Sequence, residues 1–228
     1  MEISKEAVDL IIAWEVGGGD RSLARPQYDR IYTHPNWPGK NSGLTIGIGY
    51  DLRYEAEHME GDWKARLDAL PQPDAYARLR VYAGRLGSVE AVRATRDITI
   101  PWDDALTVFR IRRLPEYIAV ARRAFPGVEA MHPHVWGALT SLVFNCWYGV
   151  KNKPLKAKAY GQIREAVSRC DVRGVAEGLR EMKKYHNSVL PPKEARGLCN
   201  RREAEARLVM SALLSEVVDV PRATPSVP

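Results

Sequence analysis

The chain has 228 residues, 45% hydrophobic and 27% charged, enough for a buried core in one domain or two closely joined lobes. Thirty-four Lys and Arg against 28 Asp and Glu give a formal net charge of +6, a balance that favours anionic polymers such as nucleic acid, anionic lipid or a bacterial wall. No apolar run reaches bilayer-spanning length, so stable membrane insertion is excluded. Cys146, Cys170 and Cys199 are far apart, odd in number and without a CxxC pair. They read as reduced thiols rather than zinc or redox ligands.

Residues 3–15 read as a helix, with Val8, Ile11, Ile12 and Glu15 at three- and four-residue spacing. Ser4 is placed to cap it and Gly17-Gly18-Gly19 to stop it. Residues 1–6, Met1-Glu2-Ile3-Ser4-Lys5-Glu6, carry acids and lack the basic and apolar regions of a signal peptide, which predicts synthesis in the cytoplasm. In 20–42, Pro26, Pro35 and Pro38 argue against long regular structure. The side chains there, Tyr28, Tyr32, His34, Asn36 and Trp37, fit two roles. Their faces and amides suit sugar rings in a loop beside a cleft. They equally suit an insertion packed over its own aromatics.

Next comes Gly43-Leu44-Thr45-Ile46-Gly47-Ile48-Gly49-Tyr50-Asp51, where β-favouring residues alternate with glycines. This reads as a short twisted hairpin strand over 45–50, open to close approach by a ligand. Helices are predicted over 54–69, 74–86 and 88–96, the last capped by Ser88. Another opens at Pro101, with Asp103 and Asp104 in its first turn. Pro115 marks a kink or a new start before 116–125. Residues 132–149 form the most apolar helix, followed by a lysine-rich loop over 150–158. Two helices, 160–170 and 172–185, are divided by Asp171. Pro191-Pro192 breaks the chain, 199–218 is a last amphipathic helix, and 220–228 is a frayed tail. The sum is a helix-dominated α+β chain, a single domain over 1–219. A small hairpin lobe (15–55) packs on a larger helical lobe (56–219).

A carboxylate at a helix end, facing a Gly-rich hairpin with a hydroxyl and a second carboxylate, is a layout for cleaving a glycosidic bond. Glu15 is the candidate proton donor. Trp14, Ile11 and Ile12 beside it would favour its protonated form by desolvation. The bland alternative is an exposed helix-end glutamate. Asp51 lies six residues after Thr45, which on a regular strand keeps both side chains on one face. Its bland alternative is a turn aspartate closing the hairpin. His34, His58, His132, His134 and His186 show no zinc-ligand spacing.

Glu15 followed by Thr45-Ile46-Gly47-Ile48-Gly49 resembles the phage-type lysozymes. Ala138 to Asn145, ending in Phe144-Asn145, is similar to that family's buried helix. Gly197-Leu198-Cys199-Asn200-Arg201-Arg202-Glu203-Ala204-Glu205 resembles its Gly-Leu-x-x-Arg-Arg helix start. Thirty residues separate Glu15 from Thr45, about double the spacing of most members, and Tyr32-Thr33-His34-Pro35 holds no acid where they carry an aspartate. The order glutamate, threonine, then aspartate six residues on is closer to the pesticin-type branch. The resemblance implies a lysozyme-like fold and a muramidase that uses Glu15, Thr45 and Asp51 by general acid/base, inverting chemistry. Asp20 and Asp29 stand as reserve carboxylates. It further implies substrate contacts at Tyr32, Trp37, Tyr50 and Asn145, although Asn145 also fits a structural amide. Arg201 and Arg202 are expected to orient the last helix through loop carbonyls or Glu205.

On this reading the partner is bacterial peptidoglycan, with no metal, cofactor or nucleic acid, and the protein is a monomer. A phage endolysin would act in the periplasm and wall after release by a holin. Three alternatives stay open: a lytic transglycosylase on the same fold, a muramidase toxin or effector, and a non-enzymatic basic protein binding wall or nucleic acid.

Overall fold

A computed structural model of the chain describes residues 2–146 and 149–218. It is dominated by helix, with one two-stranded antiparallel sheet among the described residues, a coarse α+β architecture. The chain divides into two compact units, a middle unit of Ile12–Glu116 and a terminal unit of Met1–Ile11 with Tyr117–Pro228. This division falls at 116, apart from the expected lobe boundary near residue 55. The expected tail over 220–228 lies outside the described residues. No described helix is long and apolar enough to cross a membrane.

Helix α1 (Lys5–Val16) starts where Ser4 Oγ accepts the Ala7 N–H at 3.2 Å, the expected cap. It ends at glycines, and Gly18 and Gly19 take φ values of 61° and 98° that a side chain would resist.

The rest of the middle unit is built from short pieces. The proline-rich stretch is more regular than expected. A 3₁₀ turn (Arg21–Leu23), α2 (Ala24–Gln27) and a π turn (Tyr28–Tyr32) run on without a break. Pro26 falls in the first turn of α2, where its missing N–H costs nothing. The Tyr28 hydroxyl, 0% exposed, donates to the Ile100 carbonyl at 3.0 Å, and Thr33 Oγ1 donates to the same oxygen at 3.2 Å. Tyr28 and Thr33 therefore tie this stretch to Ile100.

Strands β1 (Thr45–Ile46) and β2 (Tyr50–Asp51) pair antiparallel across Gly47-Ile48-Gly49. The expected single strand over 45–50 is instead a tight hairpin. Gly47 and Gly49, at φ 57° and 69°, supply the left-handed turn, and Gly47 lies against the Trp63 ring. After it come α3 (Met59–Asp68), which carries Trp63, α4 (Ala75–Arg80) and α5 (Val89–Thr95), the last capped by Ser88 Oγ as expected. After α6 (Trp102–Val108) the helix widens into a π turn (Phe109–Arg113), then becomes α7 (Leu114–Ala124). Pro115, which has no N–H to give, sits in the first turn of α7, so the chain swells there without breaking.

The terminal unit uses long helices: α8 (Pro133–Cys146), α9 (Pro154–Ser168), α10 (Val172–Val189) and α11 (Pro192–Val218). α8 buries an unbroken run from Val135 to Val143. Gly137 has no room for a methyl, since a Cβ there would lie 2.0 Å from that of Ala7. Asp171 caps α10 by accepting the Gly174 N–H at 2.9 Å. Two expectations fail here. The lysine-rich loop ends at Lys153, because Pro154 opens α9 and places Lys156 and Lys158 on it. α11 begins at Pro192, seven residues early, because a proline that stops one helix can start the next.

Candidate active site

The hairpin brings two of the three expected catalytic residues together. Thr45 and Asp51 are direct cross-strand partners, so their side chains share a face. The physical reason differs from the expected one: antiparallel pairing does this, not an even offset along one strand. On its other edge Thr45 exchanges backbone bonds with Asn36, at 2.7 and 2.9 Å. Thr45 is 8% exposed. Glu15 stands one residue from the end of α1, half-buried, in the same middle unit. Trp14 beside it carries the close-packed backbone of Gly19 on its ring.

Asp51 is heavily engaged. Its Oδ1 accepts N–H bonds from Gly43 and Arg53, both 2.9 Å, and its Oδ2 accepts a longer one from Gly43 at 3.1 Å. The Arg53 bond is a local Asx turn. A Cβ on Gly43 would come within 2.6 Å of Oδ1, so only glycine admits this approach. Of the reserve acids, Asp20 caps the turn at 21–23. Its bonds from the Ser22 hydroxyl and N–H hold the carboxyl below its usual range. Asp29 is exposed and pairs with Arg25 at 3.6 Å.

The expected substrate contacts separate. Trp37 and Tyr32 are half-buried, and the Trp37 indole N–H donates to the Ser42 carbonyl at 3.1 Å. Tyr50 is a correction, being 1% exposed and part of the core. Its ring meets Trp63 edge-on at 5.7 Å, and its hydroxyl donates to Asp62 Oδ2 at 2.9 Å. Burial, with the Asp62 bond, pushes that phenol far above its usual range. Asn145 is exposed at the end of α8, in the terminal unit.

Two clusters were not legible in the sequence. In the middle unit, the Glu55 carboxyl is buried and raised by desolvation, a rise that its ion pair with Arg113 opposes. Arg112 Nε donates to Asp62 at 2.9 Å beside it.

In the terminal unit, a cleft of about 390 Å³ is walled by Tyr117, Phe144, Asn145, Cys146, Tyr185 and His186, with aliphatic side chains of α10 and α11. The Tyr117 and Phe144 rings lie 4.2 Å apart. Cys146 Sγ is 3.8 Å from His186 Nε2. His186 is 1% exposed, and burial, with the cations Arg202 and Lys156 near it, pushes its pKa down to about 4. It is therefore a neutral imidazole at neutral pH. Arg201 and Arg202 behave as expected. Arg202 Nη2 donates to Glu205 Oε1 at 2.7 Å, and Arg201 reaches Ser141 on α8. All four residues are buried.

No protein-family model, curated protein or solved structure matches this chain.

Proposed function

We propose that the protein is a peptidoglycan-degrading muramidase on a lysozyme-like fold, with Glu15 as proton donor and the Thr45/Asp51 pair as its second catalytic element. The observation that carries this reading is the cross-strand pairing of Thr45 with Asp51, in the unit that also holds helix-terminal Glu15. In the proposed reaction the Glu15 carboxyl gives its proton to the glycosidic oxygen as the bond to the anomeric carbon breaks. Asp51 takes a proton from the water that adds to that carbon, and Thr45 orients the water. N-acetylmuramic acid and N-acetylglucosamine are the sugars on either side of the bond. As a phage endolysin the protein would reach the periplasm through a holin pore. The same chemistry would serve a toxin or effector.

A second reading has specific support. The backbone bonds to both Asp51 oxygens suit a carboxylate that fixes the hairpin. A lytic transglycosylase needs chiefly one acid and closes an anhydro ring without water. Digestion of purified peptidoglycan, with product masses, tests both. Hydrolysis adds one water per cut and the transglycosylase adds none. Glu15→Gln should cut sugar release by about 10²–10⁴-fold with an unchanged circular dichroism spectrum. Full activity in that variant overturns the assignment. Retained activity in Asp51→Ala with anhydro products selects the second reading.

A further inference from the structure

The net charge of +6 is not shared between the units. Residues 12–116 hold 15 basic and 15 acidic side chains, and the rest of the chain holds 19 and 13. Within the terminal unit the excess gathers at one end. α9 and α10 run antiparallel, since Gly178 packs on Ile163, Gly174 on Ala166, and Lys158 bonds Glu181 at 3.3 Å. The start of α9 therefore lies beside the end of α10.

Four lysines and no acid occupy 151–158. One of them, Lys156, is buried, and its ammonium bonds the Cys146 and Gly149 carbonyls, which straps the loop to the end of α8. Lys151 and Lys153 on that loop are exposed, as are Lys193 and Arg196 on the first turns of α11. The aromatic cleft opens at this end, because Cys146, Tyr185, Leu190 and Leu198 are among its walls. Behind it Lys156, Arg201 and Arg202 are buried, and one carboxylate, Glu205, pairs with the two guanidinium groups. Buried charge is screened less than surface charge, so its field adds to that of the exposed lysines.

We propose that this end of the terminal unit docks an anionic polysaccharide. Lys151, Lys153, Lys193 and Arg196 take its carboxylates or phosphates. Tyr117, Phe144 and Tyr185 take the apolar faces of its sugars. Charge complementarity selects an anionic polymer, and the aromatic cleft selects a glycan among such polymers. That the glycan is peptidoglycan rests on the muramidase reading.

The test uses the full chain carrying Glu15→Gln, so that the wall is not digested. Its sedimentation with purified sacculi is followed between NaCl concentrations on the order of 50 and 500 mM. We expect K151E/K153E to weaken binding about tenfold and to flatten its salt dependence. R80E/R85E removes the same charge from exposed positions of the middle unit and should leave binding within about twofold. Equal losses in the two variants would show that net charge alone is at work and overturn the proposal. So would binding that ignores salt, or duplex DNA or anionic phospholipid vesicles bound as tightly as sacculi. Sugar release by the chain with Glu15 intact is measured in parallel. Charge-dependent binding without sugar release condemns the enzyme reading alone. Sugar release without such binding condemns this surface alone.

Discussion

The two units hold themselves together by different means. The terminal unit stacks long helices, and its polar interior is one concentrated cluster: Ser141, Arg201, Arg202 and Glu205, with Lys156 and His186 nearby. The middle unit joins short helices through turns and spreads its polar contacts out. Tyr28 and Thr33 bind the Ile100 carbonyl, Asp51 binds the Gly43 and Arg53 amides, and Tyr50 binds Asp62. A concentrated cluster of buried charge makes a few residues indispensable. Dispersed bonds spread the same task over many, each worth about 0.5–1.5 kcal/mol between neutral groups and about 1.5–3 kcal/mol where a carboxylate accepts.

The sharpest way to break this contrast is Glu205→Ala. It strands two buried guanidinium groups, and losing one side of a buried ion pair costs about 3–5 kcal/mol. We expect a large fall in Tm, read by calorimetry. A change of only a degree or two would mean that the cluster is not what organises the terminal unit.

Acid should act next. His186 titrates near 4 when folded and near its ordinary value of about 6.5 when unfolded. As pH falls through that window the unfolded chain takes up a proton that the folded chain refuses. Stability is therefore full above about pH 6.5 and declines toward pH 4, by on the order of 3 kcal/mol. Denaturant titrations across this range, compared with His186→Gln, isolate the effect, because the variant should lose this part of the slope. Glu55 in the middle unit works in the opposite direction. Its raised pKa means that the folded state holds a proton which the unfolded state has already released, so its contribution weakens as pH rises through the carboxylate range.

The smallest expected effect is Tyr50→Phe, about 1 kcal/mol, since one hydroxyl bond to Asp62 is lost while Arg112 still serves that carboxylate. Urea unfolding reads it. Unchanged KM on peptidoglycan beside that loss would support Tyr50 as a core residue, whereas a KM defect with unchanged stability would restore it to the substrate.

The long helices were legible because an apolar run such as Val135–Val143 has few other homes, and because Ser4, Ser88 and Asp171 announce their helices with side-chain caps. Prolines misled in two directions. Pro26 and Pro192 look like breakers in a one-dimensional reading, yet both sit in first turns, where the missing donor has no partner to lose. Burial of polar residues was less legible still. Nothing local distinguishes Lys156 from Lys153 or Tyr50 from Tyr54, because the deciding partners, Gly149 and Asp62, are set by the folded chain. At the candidate site, the six-residue offset from Thr45 to Asp51 pointed to a shared face, but the antiparallel pairing that creates it and the backbone bonds that occupy Asp51 were not readable.

Gly43 carries a lesson for recognising other chains built this way. Any side chain there would strike both the Asp51 carboxylate and Arg53 Cβ, each within 2.6 Å. The tolerance of this position to replacement should be close to nil even though it makes no turn and performs no chemistry. A bare α-carbon eight positions ahead of an aspartate is thus a stricter fingerprint than the more conspicuous glycines of the hairpin tip. Mutational libraries that randomise this stretch should recover almost no survivors altered at residue 43.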